Sequence, residues 1–121
     1  MVMISVNPYT GNKVKTYAAW NPTQIEAVMQ HTVHAARAWN VSGFHDRSAV
    51  LRRVAGHLRA NQAHYAGLIT LEMGKPLREA RGEIEKCAWA CDYYAEQGPG
   101  FLADEIIKSD AGRSYVAYPP L

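Results

Sequence analysis

Cysteine is nearly missing from this chain. Only Cys87 and Cys91 occur in 121 residues, one helical turn apart. No disulfide framework is therefore available, and a reducing, cytoplasmic setting is expected. Neither thiol reads as a nucleophile. Both fall mid-helix on its apolar side, away from the base, cation or helix N-terminus that lowers a thiol pKa, so both are expected to be buried small hydrophobes. Excess charge is missing too: the formal net charge is +2, which gives no electrostatic reason for a nucleic-acid or anionic-membrane partner. No apolar run approaches a bilayer span. The opening MVMISV is too short for a signal-peptide core and has no basic flank. Phosphate-binding loops are absent, since neither GxGxxG after a strand nor GxxxxGK followed by serine or threonine occurs. No HExxH pair exists either. His31 and His34 are three apart on one helix and His45, His57 and His64 are scattered; all are read as surface residues, because a metal site needs three or four convergent ligands.

What is present is a globular pattern. Apolar residues make up 48% and charged residues 20%, which argues against disorder and for about one domain. Val2–Val6 and Lys13–Trp20 are β-prone and flank the turn residues Asn7-Pro8-Tyr9-Thr10-Gly11-Asn12, a leading hairpin. Asn21 as N-cap and Pro22 at the first helical position open a helix to Asn40. Its apolar stripe is Ile25, Val28, Met29, Ala36 and Trp39. Val41-Ser42-Gly43 breaks it. A second helix starts near Phe44 or Asp46 and buries Leu51, Val54, Ala55 and Leu58. A third carries Tyr65, Leu68, Ile69 and Met73 and ends at Gly74, a left-handed stop. Lys75 is held out of the helical region by the proline after it.

Pro76 opens the fourth and longest helix, to about Gln97, with Ile84, Cys87, Ala88, Cys91, Tyr94 and Ala95 as its buried stripe. Gly98-Pro99-Gly100 is expected to stop it. Glu105–Lys108 and Ser114–Tyr118 then make a second hairpin, closed by Pro119-Pro120. Arg47, Arg52, Arg53, Arg59 and His57 read as a solvated helix face rather than a nucleic-acid surface. Glu79, Glu83 and Glu85 alternate with Arg78, Arg81 and Lys86, a charge-balanced face rather than an acid/base pair. Arg81 and Glu85 are spaced for an i,i+4 pair. Two short hairpins at opposite ends leave open edges that need partners. The chain also ends directly after a strand, so it is expected to be a piece of something larger. Residue chemistry alone thus gives a helical module without a complete active site.

Six motifs in order add a resemblance. They are Asn7-Pro8-Tyr9-Thr10-Gly11, Ala38-Trp39, the Arg47-to-Arg59 helix with its leucines, and Leu71-Glu72-Met73-Gly74-Lys75-Pro76 followed by Glu79-Ala80-Arg81-Gly82-Glu83. Tyr93-Tyr94-Ala95-Glu96 and Val116-Ala117-Tyr118-Pro119-Pro120-Leu121 complete the set. Together they resemble the N-terminal region of the aldehyde dehydrogenase superfamily, most closely its succinate-semialdehyde dehydrogenase-like members.

The resemblance implies an α/β family fold with a Rossmann-type cofactor domain, of which this chain is a mainly α-helical part with a β-hairpin at each end. Residues 1–102 are expected to pack on the cofactor domain, and 103–121 to begin a β-arm that makes a homo-oligomer. It implies oxidation of an aldehyde to a carboxylic acid with NAD or NADP, through a cysteine thiolate and a glutamate-activated water. In the family those catalytic and cofactor-binding residues lie beyond position 121. None is therefore expected here, and neither Cys87 nor Cys91 matches the nucleophile's motif. In the family, the helix corresponding to Gly82–Glu96 borders the aldehyde entry tunnel, which makes Lys86, Trp89 and Tyr93 tunnel candidates, with Lys86 suited to a carboxylate-bearing aldehyde. The competing reading of these three is a solvated lysine beside two core aromatics. No metal, membrane or nucleic-acid partner is implied. The alternative for the whole chain is a non-catalytic helical interaction module from a truncated gene.

Overall fold

A computed structural model describes residues 2–119; Pro120 and Leu121, at the expected close of the last strand, lie outside the described residues. The order is β1 (Val2–Val6), β2 (Lys13–Ala18), α1 (Pro22–Asn40), α2 (Phe44–Ala60), α3 (Gln62–Met73), α4 (Leu77–Phe101), β3 (Glu105–Ile107) and β4 (Ser114–Val116). The strands make two separate antiparallel hairpins, β1 with β2 and β3 with β4. No helix among the described residues is long and apolar enough to cross a membrane.

Local chemistry sets most of the boundaries. The Asn21 side chain accepts from the Gln24 N–H at 2.9 Å, and the Gln24 side chain accepts from the Asn21 N–H at 2.9 Å. This reciprocal box satisfies two donors that a helix start leaves open. Gly74 ends α3 at φ 70°, a conformation that costs other residues about 1 kcal/mol or more. Pro76 differs from expectation by one position. Its ψ of 134° is extended, so it is the N-cap of α4 and Leu77 is the first helical residue.

The core lies where α4 packs along α2 and α3. It is built mainly from alanine: Ala55, Ala66, Ala80, Ala88 and Ala95 are buried together with Ile84 and Ser48. Small side chains let helices approach closely, and the seam on α4 runs through 80, 84, 88 and 95. The expected stripe is therefore displaced by one residue at several points. Cys87 is exposed and Cys91 half-buried, and Tyr94 and Val54 are exposed. Each of Cys87, Tyr94 and Val54 is next to a buried alanine and so points about 100° away from the seam. The stripe of α1 is also exposed, and α1 contributes no buried residue. The helix forms where its periodicity predicts, and none of the described residues buries that face.

The expected helix stop at Gly98-Pro99-Gly100 is overturned: α4 continues through it to Phe101. The three residues disfavour helix by roughly 5 kcal/mol relative to alanine, so tertiary contact must hold them. Pro99 cannot donate to the carbonyl four residues back, that of Ala95. Ser48 Oγ donates to that carbonyl at 2.7 Å instead.

The Arg81–Glu85 pair is replaced by another. Arg59 Nε donates to Glu85 Oε1 at 2.9 Å, and its Nη1 donates to Asp92 Oδ2 at 2.7 Å. One residue of the expected solvated basic face therefore ties α2 to α4, and its hydrogen bonds to Asp92 and Glu85 raise the Arg59 pKa. Arg47 is also engaged, donating through Nη2 to the Trp39 and Asn40 carbonyls at 3.1 and 3.2 Å, so it caps the end of α1.

Gly74 gives a direct test. A Cβ there would lie 3.1 Å from Pro8 Cγ in the first hairpin, in addition to the left-handed strain. Gly74→Ala is expected to lower unfolding free energy by about 1–2 kcal/mol, read from the denaturant midpoint. An unchanged midpoint would show that the joint relaxes freely.

Candidate functional site

The face of α4 that follows the joint is the best-formed candidate. Residues 79, 82, 83, 86, 89, 90 and 93 fall on one side of a helix with 3.6 residues per turn. At its N-terminal end a shallow groove is lined by Lys75, Glu79, Gly82, Glu83, Lys86 and Cys87, among others. Gly82 removes a side chain from the groove floor. Lys75 enters from outside the helix, because Gly74 and Pro76 turn the chain there, and its ammonium bonds to Glu83. That bond is the main reason the Lys75 pKa is raised above 10.5.

The sign of this shift fixes a pH window. A raised folded-state pKa contributes stability that is fully present below the unfolded value and lost as pH rises through the folded one. The pair is open to water, so its contribution is small. The stability difference between the native chain and Glu83→Gln is expected to be steady from neutral pH to about pH 10 and to shrink above it, as the ammonium loses its proton. Thermal melts across the alkaline range check this; a difference that grows with pH would refute the pairing.

The three residues picked from sequence are placed as follows. Lys86 is exposed in the groove, beside Cys87. It forms no salt bridge with another of the described residues. Trp89 and Tyr93 lie on the same face further along, with ring centroids 5.4 Å apart at 27°. Tyr93 also contacts Tyr94 at 5.3 Å and Phe101 at 6.1 Å. The two rings therefore meet each other, while neither lines the groove that holds Lys86. Trp89 is 58% exposed and Tyr93 39%, so in this chain they are not core aromatics. Sequence reading missed Lys75 as a groove residue. The available signal was the proline after it, which sends the side chain off the helix axis.

The described residues do not fit a dinucleotide. No strand leads through a glycine turn into a helix, and all strands lie in antiparallel hairpins. The start of α1 is already closed by its own cap. The start of α4 carries Glu79 in its first turn, a negative charge where a pyrophosphate would sit. Among the described residues, no group of three or more His, Cys, Asp or Glu is placed to hold a metal ion.

This architecture matches one class of protein. A model of the aldehyde dehydrogenase family matches residues 2–121, and the chain belongs to that family. More particularly, it is 41% identical over 117 residues to the succinate-semialdehyde dehydrogenase (NADP(+)) of Deinococcus radiodurans, covering 97% of this chain and 24% of that protein. It is 35% identical over 121 residues to a probable succinate-semialdehyde dehydrogenase (NADP(+)) of Synechocystis, covering 100% of this chain and 27% of that protein. The crystal structure of succinic semialdehyde dehydrogenase from Streptococcus pyogenes, in complex with NADP+, matches with a TM-score of 0.88 and 30% identity, over 94% of this chain and 25% of that one. The chain thus spans about a quarter of the length of these relatives. The expected family and fold class both hold: a mainly helical portion of the aldehyde dehydrogenase fold with a small hairpin at each end.

Proposed function

We propose that the chain is the N-terminal part of an NAD(P)-dependent aldehyde dehydrogenase that oxidises succinate semialdehyde to the dicarboxylic acid, with NADP as the hydride acceptor. The observation that carries this is the 41% identity, along 97% of the chain, to an NADP-dependent succinate-semialdehyde dehydrogenase. The cofactor supplies the hydride acceptor. It is held by parts of the enzyme outside this chain, as are the nucleophile and the water-activating carboxylate, and the chain alone is inactive.

The chain's own contribution is a scaffold and one wall. Residues 1–102 pack on the cofactor domain. The exposed apolar face of α1, with Ile25 and Met29 half or more exposed, suits that role. Residues 103–121 begin an oligomerisation arm, supported by the open edges of β3–β4 and by Ile106 at 67% exposure. On α4, Lys86 receives the substrate carboxylate, and Trp89 with Tyr93 forms an apolar wall of the aldehyde route. The enzyme works in the cytoplasm.

The test is a steady-state assay of the enzyme that carries this chain, following reduced-nucleotide absorbance with succinate semialdehyde and with an uncharged aldehyde of similar length. Turnover with NADP and a preference for the charged substrate are expected. No turnover with either nucleotide would overturn the activity. Equal use of both aldehydes would overturn the substrate.

A further inference from the structure

The last turn of α4 is built against its own sequence. Gly98, Pro99 and Gly100 are helical, yet glycine and proline are the poorest helix formers. Neither glycine is required by its surroundings. A Cβ at 98 or 100 would meet nothing within 4 Å, and neither residue has a positive φ. What glycine adds at these two positions is freedom to leave the helix.

The contacts that oppose this freedom are few. Ser48 Oγ donates to the Ala95 carbonyl, which Pro99 leaves without its usual partner, in a buried bond of 2.7 Å. Ser48 is the one buried polar side chain among the described residues. Beyond it, Phe101 rests 6.1 Å from the Tyr93 ring. Leu102 shares a hollow with Phe44 and Arg47 of α2.

We propose that residues 98–102 are a conditional turn latched by the Ser48 hydroxyl. With the latch closed, α4 runs to Phe101 and Phe101 stays against Tyr93. With it open, α4 ends at Gln97, Phe101 leaves the aromatic face, and the β3–β4 hairpin changes direction, because it departs only a few residues later. The device couples the Trp89–Tyr93 face to the position of the hairpin. It depends on contacts within this chain and not on the proposed substrate.

Amide hydrogen exchange tests this residue by residue. Ser48→Ala is expected to speed exchange at Gly100, Phe101 and Leu102 by about tenfold or more, while the Ala88 amide stays within about twofold. Pro99→Ala returns an N–H to the Ala95 carbonyl. Alone it is expected to slow exchange at the same three amides, and in its background Ser48→Ala is expected to leave them unchanged. Three results would overturn the proposal: protection that survives Ser48→Ala, acceleration of all of α4 together, or the same loss in the Pro99→Ala background. If Ser48→Ala does not fold, Pro99→Ala alone decides, and unchanged exchange at 100–102 in that variant counts against the latch.

Discussion

Ala88→Leu is expected to lower the unfolding free energy by about 3 kcal/mol, the upper end of what overpacking costs in a close-packed core. Ala88 is 0% exposed at the middle of α4, the helix that both α2 and α3 pack against. A leucine there adds a branched side chain where the neighbouring helix backbones come close. The buried core it belongs to is built mainly of alanines, which have no rotamers to rearrange, so the strain is expected to fall on the helix spacing itself. The matched control is Ala63→Leu on the exposed side of α3, expected to change stability by less than about 0.5 kcal/mol. Urea unfolding with an unchanged m-value separates the two. Equal midpoints for both variants would mean that the seam is looser than its burial implies.

Lys86→Ala in the full enzyme is expected to raise the KM for succinate semialdehyde by about 10- to 100-fold. That is the range spanned by hydrogen bonds to a charged group when one partner is removed. The effect follows from the proposed carboxylate contact, and it should be absent for an uncharged aldehyde of similar length. Lys86 is available for such a contact because Glu83, a carboxylate of the same groove, is already paired with Lys75, and Lys86 forms no salt bridge among the described residues. A loss of kcat with KM unchanged for both aldehydes would place Lys86 elsewhere in the mechanism. Equal KM for the native and variant enzymes would remove it from the substrate route altogether.

The elements of the fold were legible wherever a residue acts on its own backbone. Asn21-Pro22 opens α1, Gly74 ends α3, and the Asn7–Asn12 turn joins β1 to β2, because capping and turn chemistry are settled within a few residues. The alanine seam was harder to read. A stripe of larger apolar side chains is visible in a sequence, but alanine lies on buried and exposed faces alike, so Cys87 and Tyr94 read as inward although the seam lies one residue away. Pro99 shows the other limit. The carbonyl that Pro99 leaves open is met by Ser48, which is distant in sequence and close only in the fold. The partners of Glu85 were misread for a similar reason, since a neighbour on another helix outcompeted the one spaced four residues away. At the candidate site, helical spacing alone put Lys86, Trp89 and Tyr93 on one face. The groove itself was not legible, because Lys75 reaches it from beyond the end of the helix.

The joint at Gly74 has a consequence for the order in which the chain assembles. Pro8 packs against Gly74, and Ser5 Oγ donates to Glu72 at 2.9 Å across a separation of 67 residues. The first hairpin therefore touches the end of α3, far from it in sequence. Closing so long a loop is entropically unfavourable until both ends are formed. The first hairpin is made before α3 and must wait, paired only with itself, until the third helix is complete.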